Sequence, residues 1–280
     1  MSRTTIVVPC YNEALRLDVR KFEEFSRENR HQRFLFVNDG STDGTLEVLD
    51  DLRRSDLECF ALCDLPENVG KAEAVRQGLL RAFEADPDYV GYWDADLATP
   101  LDAILTFCSV LDSRPDIDMV FGARVKLLGR CVQRNPLRHY LGRIFATAAS
   151  SALGVGFYDT QCGAKLFRAS HEIRSLFQRP FSTRWIFDVE IIARLIASRR
   201  GTDRPKIDEV VYEFPLHEWH DVAGSKVRPG DFARAFYELA AISWRYGRLA
   251  GPSNEPCASP IPGRSHAGRI PAQAPFPSAR

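Results

Sequence analysis

The first 124 residues alternate short apolar runs with amphipathic segments. Five runs are apolar on both faces and end at polar or turn residues, as the strands of a buried parallel sheet do: Thr4–Pro9, Arg33–Asp39, Leu57–Asp64, Tyr89–Asp96 and Asp118–Arg124. Between them, apolar residues recur at three- and four-residue spacing, which predicts helices over residues 17–29, 42–55, 71–85 and 100–115. This alternation predicts an α/β fold with a Rossmann-like, open, mainly parallel sheet flanked by helices.

The predicted sheet brings polar side chains to one edge. In open parallel sheets, ligands bind beyond the carboxyl ends of the strands. The residues that we expect to collect there are Asn12, Glu13, Asp39, Asp64, Asp94 and Asp96.

The pattern changes after residue 124. Residues 125–158 contain no Asp or Glu but carry Lys126, Arg130, Arg134, Arg138 and Arg143. Arg134 and Arg138 are four residues apart and so share a face of a helix. From Pro252, the last 29 residues contain seven prolines and little periodicity, which predicts a disordered tail.

Composition narrows the class of protein. A chain of 280 residues with 45% hydrophobic residues can bury a substantial core. The net charge is zero, so an overall attraction to nucleic acid is not expected and any anion site has to be local.

The cysteines and the absence of targeting signals bear on where the protein is found. The seven scattered cysteines favour reduced thiols. Because neither a signal peptide nor a membrane span is evident, we expect a cytoplasmic protein.

The segment VNDGSTDGT (Val37–Thr45) joins a strand to a helix through a turn rich in glycine and small polar residues. As an ordinary turn, it would use Thr42 or Asp43 to cap the helix. As a functional segment, it would use Asp39 to accept the ring N–H of a nucleobase, since an ionised carboxylate only accepts.

The segment DADLATP (Asp94–Pro100) has three interpretations. The two carboxylates are solvated acids at a strand end, or Asp94 is the nucleophile of a phosphoaspartyl phosphatase, or both bind a divalent metal on a nucleotide diphosphate. Phosphatases of that class usually have Thr or Val two residues after the second Asp, where this chain has Ala98.

Seven motifs in order resemble the family 2 glycosyltransferases of the GT-A fold. Four lie at the ends of successive predicted strands: VVPCYNE, VNDGSTDGT, NVGKAEAVRQG and DADLATP. Downstream, DTQCGAKLF, RWIFDVEII and EWHDVAGSKV resemble the polyprenyl-phosphate enzymes, especially the dolichyl-phosphate β-glucosyltransferase-like branch. An oxidoreductase is disfavoured because no Gly-x-Gly-x-x-Gly follows the first strand.

The resemblance, which covers roughly residues 4–240, implies one catalytic domain over residues 1–251. Residues 1–124 would form its nucleotide-sugar-binding half and residues 125–251 its acceptor-side half, with 252–280 as the tail. The donor-side residues that the resemblance implies are Pro9, Tyr11 and Glu13 at the base and ribose, Asp39 at the base, Lys71 and Arg76 at the diphosphate, Asp94 at the ribose or metal, and Asp96 as the firmer ligand of Mg²⁺ or Mn²⁺.

The donor motifs depart from the family pattern at two places. Many relatives have Gly-Lys-Gly-Gly where this chain has Gly70-Lys71-Ala72-Glu73, and the added side chains disfavour a close backbone approach to phosphate. Mannosyl-transferring relatives often carry Gln where Ala98 stands, so this position favours the glucosyl branch.

On the acceptor side, the resemblance implies phosphate-binding cations and an acidic residue near the sugar. The residues concerned are Arg124, Arg134, Arg138 and Gln161 for binding, and Asp159, with Asp188 and Glu190 as rivals, for a base or orienting carboxylate. The resemblance further implies that Trp219 and Lys226 shape a loop that closes over the donor diphosphate. The two rivals could instead be structural acids that pair with Arg184 or Lys165.

These implications predict a metal-dependent, inverting transfer of a hexose from a nucleotide sugar, UDP-glucose being favoured, to a polyprenyl phosphate. The alternatives are transfer to a saccharide or small-molecule hydroxyl, for which an acidic base becomes essential, and the phosphatase. Residues 125–158 and 232–249 combine cations with large apolar residues, so we expect them to contact the inner face of a membrane as peripheral helices. For residues 232–249, docking on the domain itself explains the pattern equally well.

Overall fold

The structure is a computed structural model that describes residues 2–133, 136–220 and 229–246, with the backbone alone for residues 133, 136–139 and 229–233. Its first half alternates strands and helices in this order: β1 (Thr4–Cys10), α1 (Val19–Glu28), β2 (Gln32–Asp39), α2 (Thr45–Ser55), β3 (Phe60–Leu65), α3 (Lys71–Ala82), β4 (Tyr89–Trp93), α4 (Asp102–Ser113) and β5 (Met119–Ala123). A 3₁₀ turn, Phe83–Ala85, extends α3. All nine predicted elements of this half are present.

The second half contributes four further strands and five further helices over the described residues. In order, they are β6 (Cys131–Gln133), α5 (Pro136–Leu153), β7 (Ala164–Arg168), α6 (His171–Leu176), α7 (Phe187–Arg199), α8 (Ile207–Val210, one turn), β8 (Val211–Pro215), β9 (Glu218–His220) and α9 (Pro229–Arg245). No helix in the described ranges combines the length and the apolar character that crossing a bilayer needs.

One seven-stranded sheet joins both halves in the order β3-β2-β1-β4-β7-β5-β8. The pairs β1–β2, β1–β4, β2–β3 and β5–β8 are parallel, so the predicted mainly parallel sheet is confirmed. β7 runs antiparallel between β4 and β5, which the apolar pattern did not indicate. β6 and β9 form a separate parallel pair.

The core lies on both faces of this sheet. On one face, Phe22 of α1 packs edge-on against Phe34 and Phe36 of β2, with ring centroids 5.2 and 5.0 Å apart. Tyr92 of β4 lies on the other face, 5.6 Å from the ring of Phe187 in α7. Because strands buried on both faces need apolar residues throughout, the continuous apolar runs are explained.

Three predicted boundaries are corrected. β3 begins at Phe60 rather than Leu57, and β4 ends at Trp93 rather than Asp96, so that the acidic pair lies in the turn beyond the strand. The N-cap of α2 is Gly44, not Thr42 or Asp43, although the Asp43 side chain accepts the backbone N–H of Thr45 at 3.1 Å. The carboxylate of Asp43, one residue before the N-cap, thus accepts one of the free backbone N–H groups of the first helical turn.

Candidate active site

The loops that follow β1, β2 and β4 lie side by side because these strands are parallel neighbours. The loop after β1 is tied to the loop after β2, since the backbone N–H groups of Asn12 and Glu13 donate to the hydroxyls of Ser41 and Thr45 at 3.0 and 2.8 Å. Asn12 has a positive φ of 52°. The predicted gathering of polar loops at this edge is therefore present.

Asp94 is paired with a cation and held by a glycine. Its Oδ1 lies 2.5 Å from the Lys71 Nζ, and its backbone N–H donates to the Gly163 carbonyl at 2.9 Å. A Cβ on Gly163 would fall 1.9 Å from Asp94 Oδ2, so only glycine leaves room for this carboxylate. Burial lowers the pKa of Lys71, but the charges of Asp94, Asp188 and Asp96 outweigh it and the net shift is upward.

Asp96 faces a second cation that the sequence had not singled out. Arg16, in the loop after β1, has Nη2 at 3.9 Å from Asp96 Oδ2 and Nη1 at 3.5 Å from Glu13 Oε2. Burial, followed by the charge of Asp94, raises the pKa of Asp96. The turn that carries the two acids is strained at Leu97, directly after Asp96, where φ is 50°.

These residues fit a divalent cation that is completed by its substrate. Within the described ranges, no cluster of three or more metal-ligating side chains occurs, so a closed protein site is not formed. Mg²⁺ and Mn²⁺ suit oxygen ligands, and Mg²⁺ usually takes one or two carboxylates with phosphate oxygens and water. Asp94 and Asp96 supply that number of carboxylates, and they face the cations Lys71 and Arg16, whose places a metal ion would take.

Asp39 holds the loop that leads into α3. Its carboxylate accepts the backbone N–H groups of Val69 and Gly70 at 2.7 and 3.0 Å and the Asn68 amide at 3.2 Å. Burial raises its pKa, and these N–H groups with the charge of Arg184 oppose the shift only in part. Both carboxylate oxygens of Asp39 already accept hydrogen bonds within the protein. The predicted contact of Asp39 with a nucleobase stays a prediction.

Other donor-side residues are placed as follows. Pro9 pairs with Val37 within the sheet, and Tyr11 is 37% exposed just beyond β1. Arg76 is turned away from the acidic pair: its guanidinium binds Glu73 at 2.6 Å and the carbonyl of Phe177 at 3.0 Å. The structure therefore does not bring Arg76 to Asp94 and Asp96.

On the acceptor side, Asp159 is bound to Arg124. Arg124 Nε and Nη2 donate to the two carboxylate oxygens at 2.6 and 2.8 Å, and the Arg124 backbone N–H adds a bond of 3.1 Å. The guanidinium also lies over the ring of Trp219, 5.4 Å from its centroid. Next to this pair, Thr160 Oγ1 and Gln161 Nε2 are buried and have no hydrogen-bond partner within the described part of the chain.

Asp188 belongs to a buried triad below the acidic pair. Lys165 of β7 is fully buried, with Nζ at 2.6 Å from Asp188 Oδ1 and at 3.1 and 2.6 Å from the carbonyls of Thr160 and Cys162. The Tyr92 hydroxyl donates to the same carboxylate. The alternative that Asp188 pairs with Lys165 is thus confirmed.

Glu190 is fully buried and surrounded by donors. Its carboxylate accepts the backbone N–H groups of Ser182 and Thr183 at 2.8 and 3.1 Å, the Arg194 guanidinium at 2.8 Å and the Tyr246 hydroxyl at 2.9 Å. Burial raises its pKa, but Arg194 and these donors outweigh burial, so the net pKa is lowered. Its partner is Arg194 rather than Arg184 or Lys165.

Three predicted cations cannot be placed. Arg134 and Lys226 lie outside the described residues, and Arg138 is described only by its backbone in α5. Arg143 donates to the Tyr158 carbonyl at 2.7 Å and lies over that ring.

Sequence reasoning missed Arg16 as a partner of Asp96, and it considered Arg184 only as a structural partner of the downstream acids. Arg184 is exposed, and its Nε and Nη2 would lie 3.7 and 3.8 Å from a Cβ on Gly70. Both arginines are in irregular segments, where no periodicity fixes the direction of a side chain. The pairing of Glu190 with Arg194 had a signal, the i,i+4 spacing of opposite charges on one helix.

Two comparisons with known proteins, with a family model and with individual relatives, give the same family. The model of the family described as glycosyl transferase family 2 matches residues 5–174. A dolichyl-phosphate beta-glucosyltransferase of Trichomonas vaginalis is 32% identical over 252 residues, which are 86% of this chain and 70% of that protein. Those of Saccharomyces cerevisiae and Homo sapiens are each 30% identical over 80% of this chain, covering 68% and 69% of their own lengths.

Solved structures agree on the fold. A mannosyltransferase from Pyrobaculum calidifontis in complex with GDP-Man and Mn²⁺ superposes with a TM-score of 0.56 at 18% identity, covering 87% of this chain and 63% of the other. Glucosyl-3-phosphoglycerate synthase from Mycobacterium tuberculosis with Mn²⁺, UDP-glucose and phosphoglyceric acid has the same TM-score at 16% identity, covering 88% and 79%. Both similarities support the GT-A fold.

Proposed function

We propose, from the premise that this chain belongs to glycosyl transferase family 2 and is a glycosyltransferase, that it transfers glucose from UDP-glucose to a polyprenyl phosphate with inversion. A phosphate acceptor is supported by the observation that each of the three carboxylates considered as a catalytic base is already paired with a cation. Asp159 is bound to Arg124, Asp188 to Lys165 and Glu190 to Arg194. Family membership replaces the phosphatase interpretation of Asp94.

A phosphate acceptor does not need a strong base. The second pKa of a phosphate monoester is about 6, so its oxygen is largely ionised near pH 7. In the proposed step, this oxygen bonds to the anomeric carbon while the bond from that carbon to the diphosphate oxygen breaks on the opposite face. Cations that orient two phosphates then matter more than proton transfer.

On the donor side, Asp94 and Asp96 would hold Mg²⁺ or Mn²⁺, which supplies positive charge to the departing diphosphate when bound. Lys71, released from Asp94, would carry its ammonium to the same phosphates. The neighbouring Arg184 adds a guanidinium, which binds phosphate bidentately. The relatives crystallised with Mn²⁺ support the use of a divalent metal.

On the acceptor side, Arg124 and the donors of Thr160 and Gln161 would receive the lipid phosphate. The buried hydroxyl and amide have no partner within the described residues, and leaving such groups unsatisfied costs about 1–3 kcal/mol each. A phosphate placed there would accept from both. Asp159 then acts by fixing the direction of the Arg124 side chain.

Transfer assays that compare acceptors test this function. Purified protein with Mn²⁺ and UDP-glucose should glucosylate a polyprenyl phosphate and leave the matching polyprenol unchanged. Replacing UDP-glucose by GDP-mannose or dTDP-glucose should reduce the product strongly. Efficient transfer to polyprenol or to a saccharide hydroxyl, lost in Asp159→Asn, would instead support the alternative acceptor with an acidic base.

We also propose that α5 and α9 contact the membrane that holds the acceptor. The two helices pack on each other, with the rings of Phe145 and Phe236 5.9 Å apart. Both expose large apolar residues: Tyr140 and Ile144 on α5 are 67% and 58% exposed, and Tyr237 and Trp244 on α9 are 77% and 90% exposed. Tyr and Trp side chains are favoured at the membrane–water interface.

Flotation with anionic liposomes tests this contact. The double change Tyr237→Glu and Trp244→Glu should abolish co-flotation, because it places charge on the exposed face of α9. Leu57→Glu is the matched control, since Leu57 is 70% exposed at the end of α2 and far along the chain from both helices. Equal flotation of all three proteins would contradict the contact.

A further inference from the structure

The segment that joins α6 to α7 is held by two carboxylates from different helices. Five consecutive backbone N–H groups, from Ser182 to Ile186, point to them. Glu190 of α7 accepts the first two, at 2.8 and 3.1 Å. Glu238 of α9 accepts the next three, from Arg184 at 3.4 Å, Trp185 at 3.1 Å and Ile186 at 3.3 Å.

Both carboxylates are buried and each has an arginine as counter-ion. Glu190 is fully buried and Glu238 is 7% exposed. Arg194 lies 2.8 Å from Glu190, and Arg234 lies 3.1 Å from Glu238. Because buried N–H groups without partners are costly, these carboxylates fix the path of the segment's backbone.

Arg184 and Trp185 are exposed side chains of this segment. The Arg184 guanidinium lies beside Gly70, the residue before the Lys71 that binds Asp94. It is also close enough to Asp39 to favour the ionised form of that carboxyl and so lower its pKa. Arg184 thus lies beside the loop that links the predicted base-binding acid to the acidic pair.

We propose that Glu238 is a positioning residue for the donor diphosphate, because it holds the backbone that places the Arg184 guanidinium beside Gly70 and Lys71. This inference rests on the proposed function, which supplies the nucleoside diphosphate that Arg184 would bind. It gives α9 a part in donor binding although α9 follows every donor motif in the sequence. Glu190 anchors the same segment from within α7, so the loss of Glu238 alone leaves one anchor in place.

A double-mutant cycle separates this role from a general effect on the fold. Uridine diphosphate, with Mn²⁺, is titrated calorimetrically into the wild-type chain, Arg184→Met, Glu238→Gln and the double variant. Arg184→Met should weaken binding by roughly ten-fold or more, as the loss of a charge-assisted contact does. Glu238→Gln should weaken it by about three- to ten-fold, because an amide offers one acceptor oxygen where the carboxylate offers two.

The decisive comparison is the Glu238→Gln change in the Arg184→Met background. If Glu238 acts through Arg184, it should have almost no further effect there. Arg234→Met is the matched control: it removes the counter-ion but leaves the three N–H bonds, so its affinity should stay within about two-fold of the wild type. If thermal unfolding shows that Glu238→Gln is not folded, Glu238→Asp, which keeps both oxygens on a shorter side chain, takes its place in the cycle.

Three results would overturn the inference: unchanged affinity in Arg184→Met, unchanged affinity in the Glu238 variant, or an equal loss from the Glu238 change in both backgrounds. A wild-type chain that does not bind uridine diphosphate in the presence of Mn²⁺ would overturn the proposed function itself. The two failures are therefore distinguishable.

Discussion

The acids of the DAD turn and the acids further along the chain differ in how the protein uses them. The side chains of Asp94 and Asp96 are 34% and 29% exposed, and each faces one cation across an open edge of the sheet. Those of Asp159, Asp188 and Glu190 are 7%, 9% and 0% exposed. Each of these three is bound by a cation and by further hydrogen-bond donors.

This difference separates acids that can exchange partners from acids that support the structure. A half-exposed ion pair contributes little to stability, so Lys71 and Arg16 can leave their carboxylates when a metal and a diphosphate arrive. A buried pair that loses one member leaves a desolvated charge behind. We therefore expect substitutions in the first group to affect turnover, and the most buried member of the second group to affect folding.

The largest effect should come from Asp96→Ala. Loss of a metal ligand removes charge stabilisation of several kcal/mol, so transfer should fall by roughly 10³-fold or more. The melting temperature should stay close to that of the wild type, because the Arg16 contact at 3.9 Å is a weak ion pair. Turnover that persists in this variant under metal chelation would contradict the assignment.

Glu190→Ala should have the opposite profile. It leaves the Arg194 guanidinium without its counter-ion and two backbone N–H groups without their acceptor, and breaking such a buried pair costs about 3–5 kcal/mol. Urea denaturation measures this loss directly. A fully stable but inactive variant would return Glu190 to the role of a catalytic base.

Gly163→Ala links the two groups of acids, since Gly163 belongs to the acceptor-side loop but touches Asp94. The added Cβ would lie 1.9 Å from Asp94 Oδ2, so the carboxylate has to move. A displacement of about 1 Å in a site can cost roughly 100-fold in rate, and Mn²⁺ affinity, measured by calorimetry, should fall with it. Gly156→Ala is the control, because a Cβ there meets nothing within 4 Å.

The smallest effect concerns acid stability. The pKa of Glu190 is lowered from its ordinary value of 4.5 by Arg194 and its other donors. Its contribution to the free energy of unfolding is therefore complete above pH 4.5 and is lost as pH falls through the lowered pKa. The stability difference between the wild type and Glu190→Gln should shrink on acidification below pH 4.5; a difference that grows would contradict the sign of the shift.

The sequence predicted the half of the site that depends on regular strands. Apolar runs located β1 to β5, and the parallel arrangement of β1, β2 and β4 brings Glu13, Asp39 and Asp94 to one edge. The sequence could not show that Arg76 turns to Glu73, nor that Arg16 and Arg184 reach the donor-side loops, because side chains at loops and helix surfaces are directed by tertiary contacts. The orientation of β7 was also hidden, since a five-residue apolar run is the same in both directions.

The position of β7 has a consequence for how the chain is synthesised. Among the described residues, β5 pairs with β7 and β8, both of which follow it in the sequence. A nascent polypeptide that has emerged only to residue 124 can form the β3-β2-β1-β4 part of the sheet, but both edges of β5 remain unpaired. Unpaired strand edges are prone to aggregation. The ribosome has to deliver residues 164–168 before that strand acquires a neighbour, so a truncation between the two halves should yield insoluble protein rather than an isolated donor-binding module.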